Sequence, residues 1–179
     1  MRVHFTGAAG SGTTFLGQAV ASQAGLSHFE ADDYLWESTD PPYQHMRAPQ
    51  ERARLLQADL SASPQWALSG SLVRWGDTLS PLFDLVVLVL TPTEVRLARL
   101  RQRELKRFGP EALGPRGNMH QHHLEFLAWA AKYDDGDENV RSRCLHETWV
   151  AGLSCPFIRV NGELPISLLV EQVLEAIPC

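Results

Sequence analysis

Short apolar runs alternate along the chain with amphipathic segments of helical period. The most apolar run, Leu85–Leu90, is rich in β-branched residues and predicts a strand that is buried on both faces. Four weaker runs of the same character are also predicted to be strands, over residues 3–5, 27–31, 66–68 and 157–160.

The segments between these strands are predicted to be helices, because apolar residues recur in them at helical spacing. The predicted helices span residues 13–23, 49–62, 92–108, 122–133, 138–152 and 166–177. Residues 38–42 and 109–117 are predicted to be loops. Alternating strands and helices build a parallel sheet with helices on both faces, so we expect a three-layer α/β domain. Such sheets bind ligands at the carboxyl ends of their strands.

Composition narrows the class of protein. A chain of 179 residues with 44% hydrophobic and 21% charged residues has the profile of one globular domain. The longest apolar run is far shorter than the roughly 20 residues of a membrane span, and the N-terminus lacks a signal-peptide layout. Three scattered cysteines do not suggest a disulfide framework. We therefore expect a single cytoplasmic domain over residues 1–179 with no membrane contact.

Charge argues against nucleic acid and anionic membranes as partners, because 16 basic residues face 21 acidic ones and the formal net charge is −5. The distribution of the bases is more informative. Fourteen of them are Arg, and neither Lys nor Arg occurs between Val3 and Met46.

That base-free region contains the sharpest local feature, a glycine-rich turn between the first predicted strand and helix. It reads Gly7-Ala8-Ala9-Gly10-Ser11-Gly12-Thr13-Thr14. It fits the phosphate-binding pattern G-x-x-x-x-G-K-[ST] at every fixed position except one, where Thr13 replaces Lys. Backbone N–H groups of such a turn and the start of its helix attract anions, and Thr14 keeps the hydroxyl that binds Mg²⁺. The turn therefore predicts a site for the triphosphate of ATP.

Two other interpretations of the turn are an ordinary glycine-rich connection and a dinucleotide-binding fold. For the second, Gly10 and Gly12 fit the pattern, but Phe15 stands where a third glycine is required. The chain also lacks a Tyr-x-x-x-Lys pair, and its length leaves little room for a second nucleotide half.

The second predicted strand ends in the acidic segment Glu30-Ala31-Asp32-Asp33. In a parallel sheet this strand end lies beside the phosphate turn, where a carboxylate can hold Mg²⁺ or accept the proton of an attacking hydroxyl. Asp32 and Asp33 are therefore candidate catalytic residues, and Asp32 with Thr14 is a candidate metal site. The alternative is that one of the two aspartates caps a helix.

Arginines form a stripe on the predicted helix over residues 92–108. Arg96, Arg99, Arg103 and Arg107 share one helical face, and Arg101 lies off it. Phosphoryl transfer requires fixed positive charge, which planar Arg supplies well, so Arg99 and Arg103 are candidate catalytic residues. A solvated helix face is the alternative explanation.

Arginines elsewhere are candidates for binding the acceptor of the phosphoryl group, and we select Arg47, Arg52 and Arg74. Arg141 and Arg143 are further bases of this kind. The His120-Gln121-His122-His123 run does not match a recognised metal spacing.

Together these segments resemble the adenylate-kinase-like branch of P-loop NTPases, which are small nucleoside monophosphate and metabolite kinases. The resemblance covers nearly the whole chain. It includes the turn at residues 7–14, Ser69-Gly70-Ser71 after the third strand, and the strand–Pro–helix segment at residues 85–109. More narrowly, the chain is similar to a little-characterised bacterial subgroup that shares the patterns Asp40-Pro41-Pro42, Gly70-Ser71-x-x-x-Trp75-Gly76-Asp77 and Phe126-x-x-Trp129-Ala130-x-x-Tyr133-Asp134.

The resemblance implies a five-stranded parallel sheet of order 2-3-1-4-5, an acceptor-binding insert near residues 36–63 and a lid near residues 109–120. The chain departs from the family at the missing P-loop lysine and at Ser69-Gly70-Ser71-Leu72, which lacks the Asp-Gly-x-Pro-Arg element. We therefore expect an ATP- and Mg²⁺-dependent kinase of a small-molecule acceptor, most simply a nucleoside monophosphate. A kinase of a hydroxylated metabolite and a nucleotide-binding protein without phosphoryl transfer are the alternatives.

Overall fold

The structure is a computed structural model that describes residues 1–39 and 44–177. The Asp40-Pro41-Pro42 pattern, part of the predicted loop over residues 38–42, and Cys179 lie outside the described residues.

Within the described residues, five parallel strands form one sheet in the order β2-β3-β1-β4-β5, which confirms the predicted fold class. The strands are β1 Arg2–Gly7, β2 Ser27–Glu30, β3 Trp66–Ser69, β4 Leu85–Leu90 and β5 Phe157–Asn161. Their register pairs Glu30 with Ser69 and Ser69 with Phe5, so the carboxyl ends of these strands meet at one edge.

Helices connect the strands and cover both faces of the sheet. They are α1 Thr13–Ala24, α2 Ala31–Leu35, α3 Pro49–Ala62, α4 Thr93–Leu113, α5 His120–Ala131, α6 Arg143–Ala151 and α7 Ile166–Glu175, with a 3-10 helix at Asp77–Leu82. None of the helices in the described part of the chain has both the length and the apolar character that crossing a membrane requires.

Two apolar cores hold the three layers together, and their burial supplies the main driving force for folding. The core between the sheet and helices α1 and α7 includes Phe5, Leu16, Val87 and Val173. The core on the opposite face lies under α3, α6 and the 3-10 helix and includes Leu56, Trp66, Leu79, Leu88 and Val150.

Helix α1 lies unusually close to the sheet because residue 17 is glycine. A Cβ atom on Gly17 would stand 2.1 Å from Oγ of Ser69 and 3.3 Å from Cδ2 of Phe5. This close approach fixes the start of α1, and with it the phosphate turn, against the carboxyl end of β3.

Three local predictions are wrong at element boundaries. Ala31 does not extend β2 but begins α2, where its side chain is buried under the cleft. Residues 110–113 are helical rather than a loop, because α4 resumes after a break at Gly109, whose φ of 78° interrupts the helix. The sixth helix begins at Arg143 instead of residue 138, since the Ser142 side chain caps it by accepting a hydrogen bond from the N–H of Leu145 at 3.1 Å.

Helix capping by Asp32 or Asp33 is also wrong. Glu30 occupies the N-cap position of α2 and no side chain caps the helix there. The two aspartates lie in the first turn, where their negative charge interacts favourably with the positive end of the helix dipole.

Helices α4 and α5 pack against each other as an antiparallel pair that rises beside the phosphate turn. Residues 114–119 join them at the tip, within the predicted lid over residues 109–120. The predicted insert over residues 36–63 contains α3. The roles of lid and insert stay predictions.

Candidate active site

The glycine-rich turn runs from the end of β1 to the start of α1. The N–H of Ser11 donates to the carbonyl of Ala8 at 3.1 Å, which closes the turn on itself. Gly10 has a φ of 79°, and a Cβ atom there would stand 2.7 Å from the carbonyl oxygen of Arg96, so only glycine fits. The backbone therefore has the compact form of a phosphate cradle.

The turn forms one end of a cleft of about 700 Å³ at the carboxyl edge of the sheet. Six of its eight residues line this cleft: Ala8, Ala9, Gly10, Gly12, Thr13 and Thr14. Gly7 and Ser11 lie behind them and are buried. The structure thus brings the predicted nucleotide-binding residues to a space large enough for a nucleotide phosphate tail and a small acceptor.

Glu30 is the acidic side chain near Thr14; the sequence names it in the acidic segment, but it was not among the selected site residues. The Thr14 hydroxyl lies near the Glu30 carboxyl and favours its charged form. Burial raises the pKa of Glu30 to about 7, and the Thr14 hydroxyl opposes the rise. Its Oε2 atom is buried and has no hydrogen-bond partner among residues 1–39 and 44–177. The signal that could have found it is its position as the last residue of a parallel strand.

The two predicted aspartates are adjacent in α2 but differ in their position relative to the cleft. Asp32 is partly buried and lines the cleft, as the prediction requires. Asp33 is exposed and is not among the cleft residues, and its carbonyl accepts a hydrogen bond from Nη1 of Arg47 at 2.8 Å. Asp32 and Glu30 therefore form the acidic floor of the cleft.

The arginine stripe has one buried member near the start of α4 and three exposed members farther along the helix. Arg96 is fully buried; it donates to the carbonyls of Thr91 and Ala130 and pairs with Asp134 at 3.0 Å. Arg99, Arg103 and Arg107 line the cleft, and Arg101 does not.

Arg99 lies directly on the phosphate turn. Its Nη1 donates to the carbonyl of Ser11 at 3.2 Å and its Nη2 to the carbonyl of Gly162 at 2.9 Å. Arg103 sits over the Phe126 ring, with 6.0 Å between its Cζ and the ring centroid. The structure therefore brings both predicted catalytic arginines to the cleft, with Arg99 nearer the turn.

The three predicted acceptor-binding arginines lie away from the cleft wall. Nη1 of Arg47 donates to the carbonyls of Asp33, Tyr34 and Trp36, and so closes the end of α2. Nε of Arg52 donates to the carbonyl of Arg47 at 2.5 Å. Arg74 donates to the carbonyl of Glu138. Their role in binding an acceptor stays a prediction that these contacts do not support.

Aromatic side chains form another part of the cleft wall. They are Trp36, Phe108, Phe126 and Trp129. Phe126 and Trp129 stack with their centroids 5.9 Å apart, and the guanidinium of Arg141 lies over Trp129 at 5.7 Å. This part of the cleft suits a flat or apolar ligand body with polar substituents.

A second, smaller cavity of about 310 Å³ lies on the other side of the phosphate turn. Phe15, Leu164, Ile166 and Leu169 give it apolar walls, and Arg99 separates it from the large cleft. The two cavities therefore meet at the phosphate turn.

Metal binding by protein side chains alone has no support in the described ranges, where no group of three or more His, Cys, Asp or Glu side chains could hold an ion. Mg²⁺ bound with a nucleotide needs fewer protein ligands, because phosphate oxygens and water supply the rest. The Thr14 hydroxyl and the Asp32 carboxylate are oxygen donors of the required kind, and both line the cleft.

Comparison with known proteins places the chain in a family. No family model matches it. It is 39% identical over 173 residues to the uncharacterized protein YqaC of Bacillus subtilis (strain 168), and the match covers 97% of this chain and 95% of YqaC. The chain therefore belongs to the same family as YqaC.

Solved structures show the class of fold. The chain is similar to a sugar kinase from Janibacter sp. HTCC2649, with 19% identity, a TM-score of 0.54 and coverage of 97% and 92% of the two chains. It is also similar to a deoxyadenosine kinase from M. mycoides with bound dATP, at 13% identity, a TM-score of 0.56 and 98% coverage of each chain. A shikimate kinase from Acinetobacter baumannii in complex with shikimate has 16% identity, a TM-score of 0.53 and coverage of 97% and 90%. The fold is that of the P-loop kinases.

Proposed function

We propose that the protein is an ATP-dependent phosphotransferase that acts on a small hydroxylated molecule. One observation carries the proposal: the phosphate turn opens into a cleft that is also lined by Glu30, whose Oε2 atom is buried and has no hydrogen-bond partner among the described residues. The similar structures are kinases of a sugar, of shikimate and of deoxyadenosine, which agrees with this class of reaction.

The nucleotide would span the two cavities. We place its triphosphate on the turn over residues 7–14, and its base in the smaller cavity beside Phe15, Leu164 and Arg99. Arg99 already touches the turn, so it can place positive charge against the phosphates without a large movement. Mg²⁺ bound by Thr14 and Asp32 would neutralise phosphate charge.

Glu30 would act on the acceptor. A carboxylate with a pKa near 7 and one unpaired oxygen can take a proton from a hydroxyl as that hydroxyl attacks phosphorus. Arg103, exposed on the opposite wall, would stabilise the charge that spreads over the transferring group.

A nucleoside monophosphate kinase, which the sequence resemblance implies, is the second candidate. The stacked pair of Phe126 and Trp129 favours it, because aromatic rings bind a nucleobase well. Against it, a phosphate acceptor needs no general base, and the floor of the cleft carries the carboxylates of Glu30 and Asp32. Arg47 and Arg52 also direct their hydrogen bonds to backbone carbonyls.

Nucleotide binding is tested by thermal melting. ATP with Mg²⁺ at millimolar concentration should raise the melting temperature, because a ligand that binds only the native state stabilises it. NADH should leave it unchanged. A shift with NADH and none with ATP would favour the dinucleotide interpretation and overturn the proposal.

Phosphoryl transfer is tested by a coupled assay of ADP release over matched acceptors: sugars, hydroxy acids, nucleosides and nucleoside monophosphates. Turnover with a hydroxylated acceptor supports the first candidate, and turnover with nucleoside monophosphates alone supports the second. A melting shift with ATP but no turnover on any class would indicate a binding protein without transfer.

A further inference from the structure

The most unusual charge in the cleft belongs to Arg141. It lies on the connection between α5 and α6, lines the large cleft and is partly buried. Its Nε atom is fully buried and has no hydrogen-bond partner among the described residues. Leaving a buried donor of a charged group unpaired is costly, and native proteins rarely do so without a reason.

The segment that carries Arg141 is fixed on both sides. The hydroxyl of Ser142 donates to the carbonyl of Asp137 at 2.6 Å and caps α6. The N–H of Arg143 donates to the carbonyl of Tyr133 at 2.8 Å. The Arg141 side chain itself rests on the Trp129 ring. The guanidinium is therefore held in place facing the cleft.

The other charges of the cleft are already engaged or more exposed. Arg99 bonds two carbonyls, and Arg103 is exposed above Phe126. Among the carboxylates, Glu30 lies near Thr14, and buried Glu104 lies 3.6 Å from Nδ1 of His123. The negative charge of Asp32 interacts with Arg141, but the two side chains form no ion pair in the described part of the chain. Burial lowers the pKa of Arg141, and the charge of Asp32 opposes that fall.

We propose that Arg141 is the specificity-determining residue of the acceptor site, and that it binds an oxyanion carried by the acceptor at a position separate from the phosphorylated hydroxyl. This rests on the proposed function. Arg suits the role because its planar guanidinium pairs bidentately with a carboxylate or a phosphate. The acceptor would therefore be a hydroxy acid or a hydroxylated phosphate monoester, with its body against Trp129 and Phe126.

The direct test is calorimetric binding of inorganic phosphate to the full chain after the nucleotide site has been saturated with a non-hydrolysable ATP analogue and Mg²⁺. Native protein should bind phosphate, and Arg141→Gln should bind it at least tenfold more weakly. Arg141→Lys should restore part of the affinity, since it keeps the charge and loses the planar fork. Arg101→Gln, at an exposed position outside the cleft, is the matched control and should match native protein.

Acetate, titrated in the same way, distinguishes the two sources of the oxyanion. Binding of acetate and phosphate alike points to a hydroxy acid, and binding of phosphate alone points to a phosphate monoester. Equal phosphate affinity in native protein and Arg141→Gln, or no phosphate binding to either, overturns the proposal.

Two further readouts separate this role from others. Affinity for the ATP analogue should stay within about twofold in Arg141→Gln; an equal loss of nucleotide and phosphate affinity would assign Arg141 to the nucleotide and overturn the proposal. The melting temperature of Arg141→Gln should be equal to or above that of native protein, because an unpaired charge is removed. A clear fall, with no rescue by Lys, would make Arg141 structural and also overturn it.

Failure of the proposed function gives a different result. If native protein does not bind the ATP analogue, that function is wrong, and the phosphate titration is repeated without nucleotide. A tenfold loss of phosphate affinity in Arg141→Gln would still establish an oxyanion site, and equal phosphate affinities would show that Arg141 forms no such site.

Discussion

Burial of the Glu30 carboxyl affects both the stability of the protein and the proton affinity of a group in the cleft. Its carboxyl is buried beside Thr14, and burial raises its pKa to about 7 from an ordinary value of 4.5. The native state therefore binds a proton more tightly than the unfolded chain between pH 4.5 and 7. Stability from this group is complete below pH 4.5 and is lost as the pH rises through 7.

Glu30→Gln should consequently be more stable relative to native protein at pH 8 than at pH 5. The difference between their melting temperatures should increase over this range, as measured by scanning calorimetry. Buried His4 and His146, whose pKa values fall to about 3 and about 4, oppose this trend in both proteins equally and cancel in the difference. Exposed Glu171→Gln is the control, and a difference for Glu30→Gln that does not change with pH would contradict the account.

Thr13 is the residue at which the phosphate turn departs from its pattern. A lysine there would donate charged hydrogen bonds to nucleotide phosphates, each worth about 1.5–3 kcal/mol. Loss of one such bond weakens ATP binding by roughly 10- to 150-fold unless another basic side chain replaces it. Arg99 is placed to do so: a Cβ atom on Gly12 would lie 3.7 Å from its Nη1.

Thr13→Lys should then bring a like charge close to Arg99 and give no gain in kcat/KM for ATP in the ADP-release assay. The double variant Thr13→Lys with Arg99→Ala should recover part of the activity that Arg99→Ala loses alone. A tenfold or larger gain from Thr13→Lys in the native background would show that nothing replaces the lysine.

At the scale of elements, the central junction is the one between α4, α5 and the phosphate turn. The buried guanidinium of Arg96 holds this junction together. It donates hydrogen bonds to the carbonyl of Thr91, directly after β4, and to the carbonyl of Ala130 near the end of α5. It also forms an ion pair with Asp134. The Tyr133 ring covers the guanidinium at 5.1 Å. The wall of the cleft is thereby fixed to the sheet.

Arg96→Met should lower the free energy of unfolding by about 3–5 kcal/mol, since it leaves buried carbonyls and Asp134 without their partner. Urea denaturation measures the loss. Asp134→Asn should cost clearly less, because Arg96 keeps its carbonyl acceptors and Asp134 is one-third exposed. Equal losses in the two variants would mean that the ion pair alone, and not the junction, stabilises α4.

At the scale of the molecule, the alternation of strands and helices could be predicted because the five strands and the longer helices carry their own periodic signals. Helix α2 and the 3-10 helix were not predicted, and the strand order came from the family resemblance. The phosphate turn could be predicted because its chemistry is local in sequence. Arg96 could not be placed: helical spacing puts it on one face with Arg99, but only the packing of α4 shows that the first turn is buried.

Other site residues depended equally on tertiary contacts. Arg47 looked like a free cation in the sequence, whereas its guanidinium closes the end of α2. Glu30 was named within the acidic segment but was not selected, because the predicted strand ran on to Ala31. The strand β2 ends at Glu30, and Glu30 lines the cleft whereas Asp33 does not. Long-range packing, which no local pattern encodes, decided each case.

The central claim is that this cleft transfers the γ-phosphoryl group of ATP to a small molecule by means of Glu30. It is tested most directly by following labelled γ-phosphate from ATP to an acceptor found in the ADP-release screen, with native protein and with Glu30→Gln. The account predicts transfer by native protein, a rate at least about 100-fold lower in Glu30→Gln, and equal ATP affinity in the two. Equal transfer rates at equal ATP affinity would contradict it.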